Sequence, residues 1–262
     1  MQPLLRLEDI TITFGGLTAL DTVNIQVERE KIFSLIGPNG AGKSTVFNII
    51  SGIYSPTAGK VFFKERDITG LKPYVVTDLG IARTFQNIRL FKNMTVLDNV
   101  RVGCHTRSKA GVLGAISRLG KVREEEREIV RRTGEVLEVV GLTAKRDELA
   151  RNLSYGEQRK LEIARALASS PELILLDEPA AGMNSQEKEI LMGMIDLIRG
   201  MGVTILLVEH DMKFVMTISD YVMVLDYGQL ISAGTPGEVQ NDPAVISAYL
   251  GKEEVQNRSL GS

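Results

Sequence analysis

Hydrophobic and polar residues alternate along the first thirty positions of the chain. One face of the first extended segment carries Ile10, Ile12 and Phe14, and one face of the next carries Val23, Ile25 and Val27. A period of two is typical of β-strands with one buried face. The pattern therefore predicts antiparallel strands joined by a turn at "FGG", residues 14–16.

Beyond residue 30, compact apolar runs alternate with segments whose apolar residues have helical spacing. The runs are "KIFSLIG", "LILLDEP" and "VTILLVEH", and the helical segments are "KSTVFNIISGI", "EQRKLEIARAL" and "SQEKEILMGMIDLIRG". Short apolar runs that end at glycine or at charged residues are typical of strands buried on both faces of a parallel sheet. Alternating strands and helices predict an α/β fold with a mostly parallel sheet and right-handed crossovers.

Residues from about 90 to 155 have a different character. The stretch "REEEREIVRRTGEVLEVVGL" has helical periodicity and ends at Gly141, and Glu128 is placed to meet Arg132 one turn later. The run of charges is typical of a solvated helix face. We expect this block to be an α-helical subdomain inserted into the core of one domain, residues 1–250. A loose polar tail, residues 251–262, follows.

Composition narrows the possible classes of function. The net charge is −2 and the isoelectric point is near 5.9, so the basic excess of a nucleic-acid-binding protein is missing. A single cysteine, Cys104, excludes an internal disulfide and a cysteine-based zinc site. The apolar runs are too short to cross a bilayer, and the first ten residues do not resemble a signal peptide. We expect a cytoplasmic α/β protein that can reach a membrane through a partner.

The segment "GPNGAGKS" fits the phosphate-binding pattern G-x-x-x-x-G-K-[ST] between a predicted strand and a predicted helix. Glycines let backbone amides approach phosphate closely at a helix N-terminus, and a lysine neutralises the charge. A serine hydroxyl at this place is suited to Mg²⁺. A simple glycine turn beside an exposed lysine is the alternative. The predicted nucleotide-binding residues are Gly37, Pro38, Asn39, Gly40, Ala41, Gly42, Lys43, Ser44 and Thr45.

Acidic and imidazole side chains follow two later strands. Asp177 and Glu178 end the run "LILLDEP", and His210 ends "VTILLVEH". Open α/β sheets bind ligands at the carboxyl ends of their strands, so these residues are candidates for the phosphate site. We expect Asp177 to hold Mg²⁺ through water, Glu178 to activate the attacking water and His210 to contact the γ-phosphate. His105 has no such placement and is interpreted as a surface residue.

A second candidate anion site lies at "NLSYGEQRKLEIARAL", residues 152–167. Ser154 and Glu157 form the pattern of a helix capping box, and this explains the helix start without any ligand. Gly156 is not needed for a cap, however, and a chain with a phosphate-binding loop does not need a second exposed helix N-terminus. A structural cap and a binding role both remain open on these residues alone.

The order of these motifs resembles the ATP-binding cassette (ABC) family. "LSYGEQ" is similar to the family's signature, usually L-S-G-G-Q, and Gln86 in "RTFQN", Asp177, Glu178 and His210 fall in the family's order around it. The resemblance implies a P-loop NTPase (RecA-like) core with an N-terminal antiparallel subdomain. It also implies an Mg²⁺-dependent ATPase. Two such subunits pack head to tail, and Ser154 and Gly156 of one chain complete the ATP site of the other.

The segments "FGGLTAL" and "GIARTFQNIRLFKNMTVLDNV", with the long helical insertion, resemble the ATPase subunits of branched-chain amino-acid importers. The ATPase of lipopolysaccharide export is a weaker match. The resemblance implies that Phe14 stacks on adenine, although its spacing also fits a core position beside Ile10 and Ile12. It implies that Gln86 senses Mg²⁺ and water. Permease subunits would dock near Gln86–Val100 and hold the chain at the inner face of the cell membrane.

Four positions depart from the family pattern. Tyr155 and Glu157 stand where glycine and glutamine are usual, Asn184 replaces an aspartate, and "REKIF" lacks a glycine that often precedes this strand. Asn184 removes a charge from the expected dimer interface. All residues that the chemistry requires are present.

The sequence therefore predicts an ATPase that powers import through a membrane transporter. A non-transport ABC protein would usually carry a long coiled-coil insertion or two cassettes in one chain, and neither is found. A P-loop GTPase would need the guanine-reading pattern N-K-x-D, which the sequence lacks. Glu178 and His210 are both present, and this argues against a module that binds nucleotide without hydrolysing it. The identity of the partner ATPase and of the transported solute stays open.

Overall fold

The computed structural model describes residues 2–104 and 119–249, so His105 and the tail from residue 251 lie outside the described part. The chain forms two sheets. The first has four antiparallel strands in the order β2-β1-β4-β5. Its strands are β1 (Leu5–Phe14), β2 (Leu17–Val27), β4 (Ala58–Phe63) and β5 (Arg66–Asp67). The alternation at the start of the sequence thus forms the predicted antiparallel subdomain.

The second sheet has six strands in the order β10-β9-β3-β8-β7-β6. All neighbours pair in parallel except β10, which is antiparallel to β9. The strands are β3 (Ile32–Ile36), β6 (Ile81–Arg83), β7 (Leu173–Asp177), β8 (Thr204–Val208), β9 (Tyr221–Asp226) and β10 (Gln229–Gly234). The mostly parallel α/β core predicted from the apolar runs is confirmed.

Both faces of the six-stranded sheet are covered. Every residue of β3, β7 and β8 is buried, which explains why these strands read as continuous apolar runs. Successive residues enter two different hydrophobic cores: Ile174 packs with the helices on one face, and Leu175 packs with the antiparallel subdomain on the other. The sheet is therefore a rigid base for the side chains at its carboxyl edge.

Besides a helical segment at residues 243–249, eight α-helices surround the sheets in the described residues. They are α1 (Lys43–Ile50), α2 (Pro73–Leu79), α3 (Val96–Cys104), α4 (Leu119–Val139), α5 (Tyr155–Ala168), α6 (Ser185–Gly200), α7 (Met212–Ile218) and α8 (Pro236–Gln240). Three of them, α3 to α5, lie between β6 and β7, which are neighbours in the sheet. Helices α3 and α4 lie within the block predicted as an insertion, residues 90–155, and α5 belongs to the core segment that follows it. No helix in either described stretch is both long and apolar enough to cross a membrane.

The charge pairing expected on α4 is wrong in one detail. Glu128 pairs with Arg131, whose Nη2 lies 2.5 Å from its Oε1, and not with Arg132. The Nε of Arg132 instead donates to the carbonyl of Ala168 at 3.1 Å. A position three residues along a helix is as close as one four residues along, and packing against α5 draws Arg132 toward the neighbouring helix.

Two glycines in the helical insertion make a matched test of its packing. A Cβ at Gly103 would lie 2.2 Å from the carbonyl oxygen of Arg165 on α5, whereas one at Gly134 on α4 would meet nothing within 4 Å. We expect Gly103→Ala to lower the free energy of unfolding by about 1–3 kcal/mol because the two helices must separate. Gly134→Ala should raise it by about 0.5–1 kcal/mol. Urea denaturation measures both, and equal effects would contradict the close approach of α3 and α5.

Candidate active site

Four parallel strands end at the same edge of the six-stranded sheet and bring the predicted motifs together. In the sheet register, Val208 lies opposite Leu35 on one side and Asp177 on the other. The segments that leave these strands therefore share one edge: the glycine loop after β3, the carboxylates after β7 and His210 after β8. The segment that carries Gln86 leaves the same edge from β6.

The glycine loop has the backbone that a phosphate cradle requires. Gly37, Gly40 and Gly42 all have positive φ angles, and Gly42 is the N-cap of α1. A side chain at Gly37 is impossible without movement, since a Cβ would lie 2.0 Å from the carbonyl oxygen of Leu225. The Nζ of Lys43 donates to the carbonyls of Gly37 and Pro38 at 2.6 and 3.0 Å. The buried ammonium thus lies inside the loop and reinforces the positive end of α1.

A cavity of about 340 Å³ opens beside this loop. Its lining comprises Leu17, Thr18, Ala19, Asn39, Gly40, Ala41, Gly42, Lys43, Ser44, Thr45, Glu178, His210 and Tyr227. The lining combines amide donors, a lysine and a carboxylate with the apolar surfaces of Leu17 and Tyr227. Such a mixture suits a ligand that has both a phosphate chain and a flat apolar ring.

Phe14 lies outside this lining. It is 44% exposed, so the core position that its spacing allowed is wrong, whereas Ile10 and Ile12 are buried as expected. Its ring makes an edge contact with Tyr54 at a centroid distance of 5.3 Å. Stacking of adenine on Phe14 stays a prediction, and Leu17 and Tyr227 are apolar cavity residues that the sequence reasoning missed.

Glu178 lies between Gln86 and His210. Its Oε2 accepts a hydrogen bond from Nε2 of Gln86 at 2.9 Å, and its Oε1 lies 2.7 Å from Nε2 of His210. Its backbone φ of 48° falls in the left-handed region that few residues other than glycine adopt. The structure therefore brings the three residues predicted to be catalytic into one hydrogen-bonded group.

Asp177 forms a buried ion pair that the sequence did not predict. Its Oδ2 accepts from Nη2 of Arg83 at 3.0 Å, and Arg83 also donates to Asn48 at 2.8 Å and to Ser51 at 2.9 Å. Burial lowers the pKa of Arg83, while the Asp177 carboxylate opposes that shift. Arg83 thus joins the end of β6 to α1 and to the strand-end carboxylate.

Glu209 supports the group around Glu178 from beneath the surface. Its Oε1 accepts from the amide of Ala180 at 2.6 Å, and its Oε2 accepts from the amide of His210 at 3.1 Å. Burial raises the pKa of Glu209, and the two amide donors act against this shift. One carboxyl group therefore positions both the loop after Glu178 and the backbone of His210.

Asp211 begins α7 directly after His210 and anchors it to α6. Its Oδ1 caps the amide of Phe214 at 3.1 Å, and its Oδ2 lies 2.6 Å from Nζ of Lys188. The hydrogen bond from Lys188 and the capped amide hold the pKa of Asp211 below its usual value. A carboxylate of this kind stabilises the fold only when ionised, so its contribution is lost as the pH falls through its folded-state pKa.

A substitution that keeps the cap isolates this charge. Asparagine caps a helix as well as aspartate does, so Asp211→Asn should lose only the ion pair, about 1 kcal/mol or less at pH 7. We expect the difference from the wild type to shrink as the pH falls below about 3.9, the ordinary pKa of aspartate, and to vanish only below the lowered folded-state pKa of Asp211. Urea denaturation across this range measures it. A difference that stays constant with pH would contradict the role of the charge.

Ser154 caps α5 in the structure. Its Oγ accepts from the amide of Glu157 at 3.4 Å, and Oε2 of Glu157 accepts from the amide of Ser154 at 2.9 Å, which completes the predicted capping box. The pKa of Glu157 is lowered, first by Lys145, whose Nζ lies 2.8 Å from Oε1. Neither Ser154 nor Gly156 lines the cavity of the same chain. Within one chain, therefore, the signature segment and the phosphate loop form separate surfaces.

A family model for ABC transporters matches residues 20–181, which include the glycine loop, the signature segment and both carboxylates. The chain belongs to the ABC transporter family. This cassette also matches, over residues 229–255, a model of the branched-chain amino acid ATP-binding cassette transporter. The resemblance read from the motifs is therefore confirmed.

The cassette has close relatives along nearly its whole length. It is 44% identical to the high-affinity branched-chain amino acid transport ATP-binding protein LivG of Salmonella typhimurium over 252 residues, 96% of this chain and 99% of the relative. Among solved structures, the ADP conformation of MJ1267, an ATP-binding cassette of an ABC transporter, matches with a TM-score of 0.83 and 33% identity. That match covers 96% of this chain and all of the other.

A dimeric structure of MJ0796, a bacterial ABC transporter cassette, matches with a TM-score of 0.74 and 26% identity, covering 88% of this chain and 98% of the other. ABC cassettes of this fold thus bind nucleotide and form dimers. The cassette described here has the loop, the carboxylates and the signature of such a protein on the same framework.

Proposed function

We propose that this cassette hydrolyses ATP to power the import of branched-chain or other hydrophobic amino acids through a membrane permease. The match of residues 229–255 to the branched-chain transporter model and the 44% identity to a branched-chain transport ATP-binding protein support this substrate class. Both favour import of amino acids over lipopolysaccharide export, for which the motifs give only a weaker resemblance.

The hydrogen-bonded group of Gln86, Glu178 and His210 beside the phosphate loop carries the proposal. Glu178 accepts a proton from the water that attacks the γ-phosphorus in line, a role worth about 10²–10⁴-fold in rate. The Nε2 of His210 lies 2.7 Å from Oε1 of Glu178 and orients that carboxylate. When nucleotide is bound, the same N–H donates to the γ-phosphate instead. Lys43 and the loop amides stabilise the phosphoryl charge.

Residues of the phosphate loop and of the sheet edge fit Mg²⁺ by their chemistry. The hydroxyl of Ser44, the carboxylate of Asp177 and the amide oxygen of Gln86 are hard oxygen donors, which Mg²⁺ prefers. The Nε2 of Gln86 is used in the hydrogen bond to Glu178, and this leaves the amide oxygen as its donor atom toward a cation. When bound, Mg²⁺ would neutralise charge on the phosphates. Arg83 already orients Asp177 at this position.

The signature segment serves the site of a partner cassette. Ser154 and Gly156 lie outside the cavity of their own chain, and the dimeric relative supports a pair of cassettes. In the pair that we propose, the subunits pack head to tail and these residues contact the nucleotide of the partner. The partner is a second copy in isolation and a paralogue in the transporter. ATP then links the subunits, and hydrolysis removes the γ-phosphate contacts so that the pair opens, a ligand-controlled switch.

The permease docks on the segment Gln86–Val100. Two large apolar side chains in this segment, Phe91 and Met94, are exposed, and they come shortly after Gln86 in the chain. Exposed apolar groups beside a functional segment are typical of a contact surface for another protein. Docking there places the cassette at the inner face of the cell membrane.

Reconstitution tests the proposed function. The tagged cassette is isolated from its native membranes with its permease, and the complex is placed in proteoliposomes with a capture protein. We expect Mg²⁺- and ATP-dependent uptake of leucine, isoleucine or valine, and no uptake of lysine or glutamate. A non-hydrolysable ATP analogue is the control for turnover. Uptake of charged amino acids alone, or a complex without an integral-membrane subunit, would contradict the proposal.

A further inference from the structure

A buried arginine in the signature helix contacts the segment that carries Gln86. Arg159 on α5 is only 3% exposed. Its Nη1 donates to the carbonyl of Phe85 at 2.8 Å, and its Nη2 donates to the carbonyl of Gln86. A buried guanidinium has five donors in a rigid fork, so it fixes the positions of the carbonyls that it binds.

Glu162, one turn later on α5, accepts hydrogen bonds from backbone amides of the same segment. Its Oε1 accepts from the amide of Phe85 at 3.4 Å and from the amide of Arg89 at 3.3 Å, while its Oε2 lies 3.3 Å from Nη1 of Arg159. Burial raises the pKa of Glu162, and Arg159 opposes that shift. A buried ion pair adds little net stability, and its better-attested use is to specify one arrangement of the groups around it.

Tyr155 connects this ion pair to the signature surface. It follows Ser154 directly, and its hydroxyl oxygen accepts from Nη2 and Nε of Arg159 at 3.0 and 3.3 Å. Its ring lies against Gly182, where an added Cβ would be 3.4 Å from the ring. The residue that stands where the wider family has glycine therefore contacts both the arginine and the loop that follows Glu178.

These contacts form one continuous path within a single chain. It runs from Tyr155 beside the signature serine, through Arg159, to the backbone of Gln86, whose side chain donates to Glu178 at 2.9 Å. We propose that Arg159 is a positioning residue that transmits contact between the signature surface and the partner's nucleotide to Gln86 in the active site of its own chain. This inference rests on the proposed composite ATP site.

The path predicts cooperativity between the two sites of a dimer. ATP at the partner's site contacts the signature of this chain. Arg159 then fixes the backbone of Gln86, so that the side chain of Gln86 keeps its hydrogen bond to Glu178. Each bound nucleotide thereby improves catalysis at the other site. A residue with only a structural role would change stability without changing the dependence of the rate on ATP concentration.

The test uses the full chain with Mg²⁺ and ATP, and it measures kcat, the ATP concentration at half-maximal rate and the Hill coefficient. We expect Tyr155→Phe, which keeps the ring and removes the hydroxyl that accepts both hydrogen bonds from Arg159, to lower kcat by about tenfold. The Hill coefficient should fall toward one, and the affinity of the isolated chain for a fluorescent ATP analogue should be unchanged. Tyr74→Phe, at an exposed tyrosine on α2, is the matched control and should behave as the wild type.

Arg159→Lys provides the second arm of the test. Lysine keeps the charge opposite Glu162 but lacks the planar fork, so it cannot hold both carbonyls and the tyrosine hydroxyl. We expect the same loss of kcat and of cooperativity as for Tyr155→Phe. The double variant should be no worse than the more impaired single variant, because both substitutions interrupt one path. Thermal melting identifies a variant that merely fails to fold.

Three results would overturn the inference. They are a wild type without cooperativity, a Tyr155→Phe variant with the kinetics of the wild type, and strictly additive effects in the double variant. Failure of the proposed function has a different signature, since the wild type itself would then not hydrolyse ATP. If the wild type is active and cooperative but the variants behave like it, only the role of Arg159 is refuted.

Discussion

Glu178→Gln should slow ATP hydrolysis by at least about tenfold, a conservative figure for the loss of a general base. The amide fills the same space beside Gln86 and His210 but cannot take a proton from water. Since ATP binding does not need this proton transfer, the ATP-bound dimer should accumulate. Phosphate release measures the rate, and light scattering at saturating ATP measures the dimer.

Glu138→Gln is the control for this variant. It makes the same chemical change at an exposed position of α4, and it should leave both measurements unchanged. A Glu178→Gln protein that turns over at the wild-type rate would remove Glu178 from catalysis. One that stays monomeric with saturating ATP, both alone and with the permease, would contradict the composite site.

Ser154→Arg should lower turnover by about 10²-fold or more, because in the proposed head-to-tail pair it removes a donor to the partner's phosphate and places a long side chain in the interface. Binding of a fluorescent ATP analogue to the phosphate loop of the isolated chain should change by less than about twofold, since Ser154 does not line that cavity. The two measurements separate a contact made in trans from damage to the chain's own site.

Ser154→Asp separates the contact from the helix cap. Aspartate caps helices as well as serine does, whereas arginine does not, and the loss of a cap costs about 1 kcal/mol. We therefore expect lower thermal stability only for Ser154→Arg, but loss of turnover in both variants, because a carboxylate repels the γ-phosphate. Full activity of Ser154→Asp would reduce Ser154 to a cap.

Much of the fold could be predicted from local pattern. The apolar runs at β7 and β8 end where the strands end, and α6 spans the same residues, 185–200, as its periodic segment. Two short elements were not predicted. The helix α2 and the strand β6 have few residues, and their packing against the core, not a period of their own, determines their structure.

The part of the candidate site that lies in sequence motifs or at strand ends could be predicted from the sequence. Glycines, a lysine and strand-end acids occur at fixed spacing, so Lys43, Glu178 and His210 could be placed at one edge before any contact was known. The pair of Arg83 and Asp177 joins residues 94 positions apart, and Arg159 reaches a segment 73 positions away. Neither spacing follows any period, so only the folded chain identifies these partners.

Asn184, which departs from the family pattern, has a structural role in this fold. Its side chain caps α6 by accepting from the amide of Glu187 at 3.0 Å, and Glu187 completes the capping box in return. The Oε1 of Glu187 would lie 3.0 Å from a Cβ at Gly156, so the cap of α6 touches the signature segment. The function of this loop in coupling stays a prediction.

The place where the helical insertion leaves and rejoins the sheet makes it a replaceable module. Thr95 forms an antiparallel bridge with Leu149, so the two arms of the insertion lie side by side, about one strand spacing, ~5 Å, apart. A segment with adjoining ends can be exchanged without tearing the sheet. New helices could therefore replace those between residues 95 and 149, while the core, with α5 and its contacts to residues 85–89, stays unchanged.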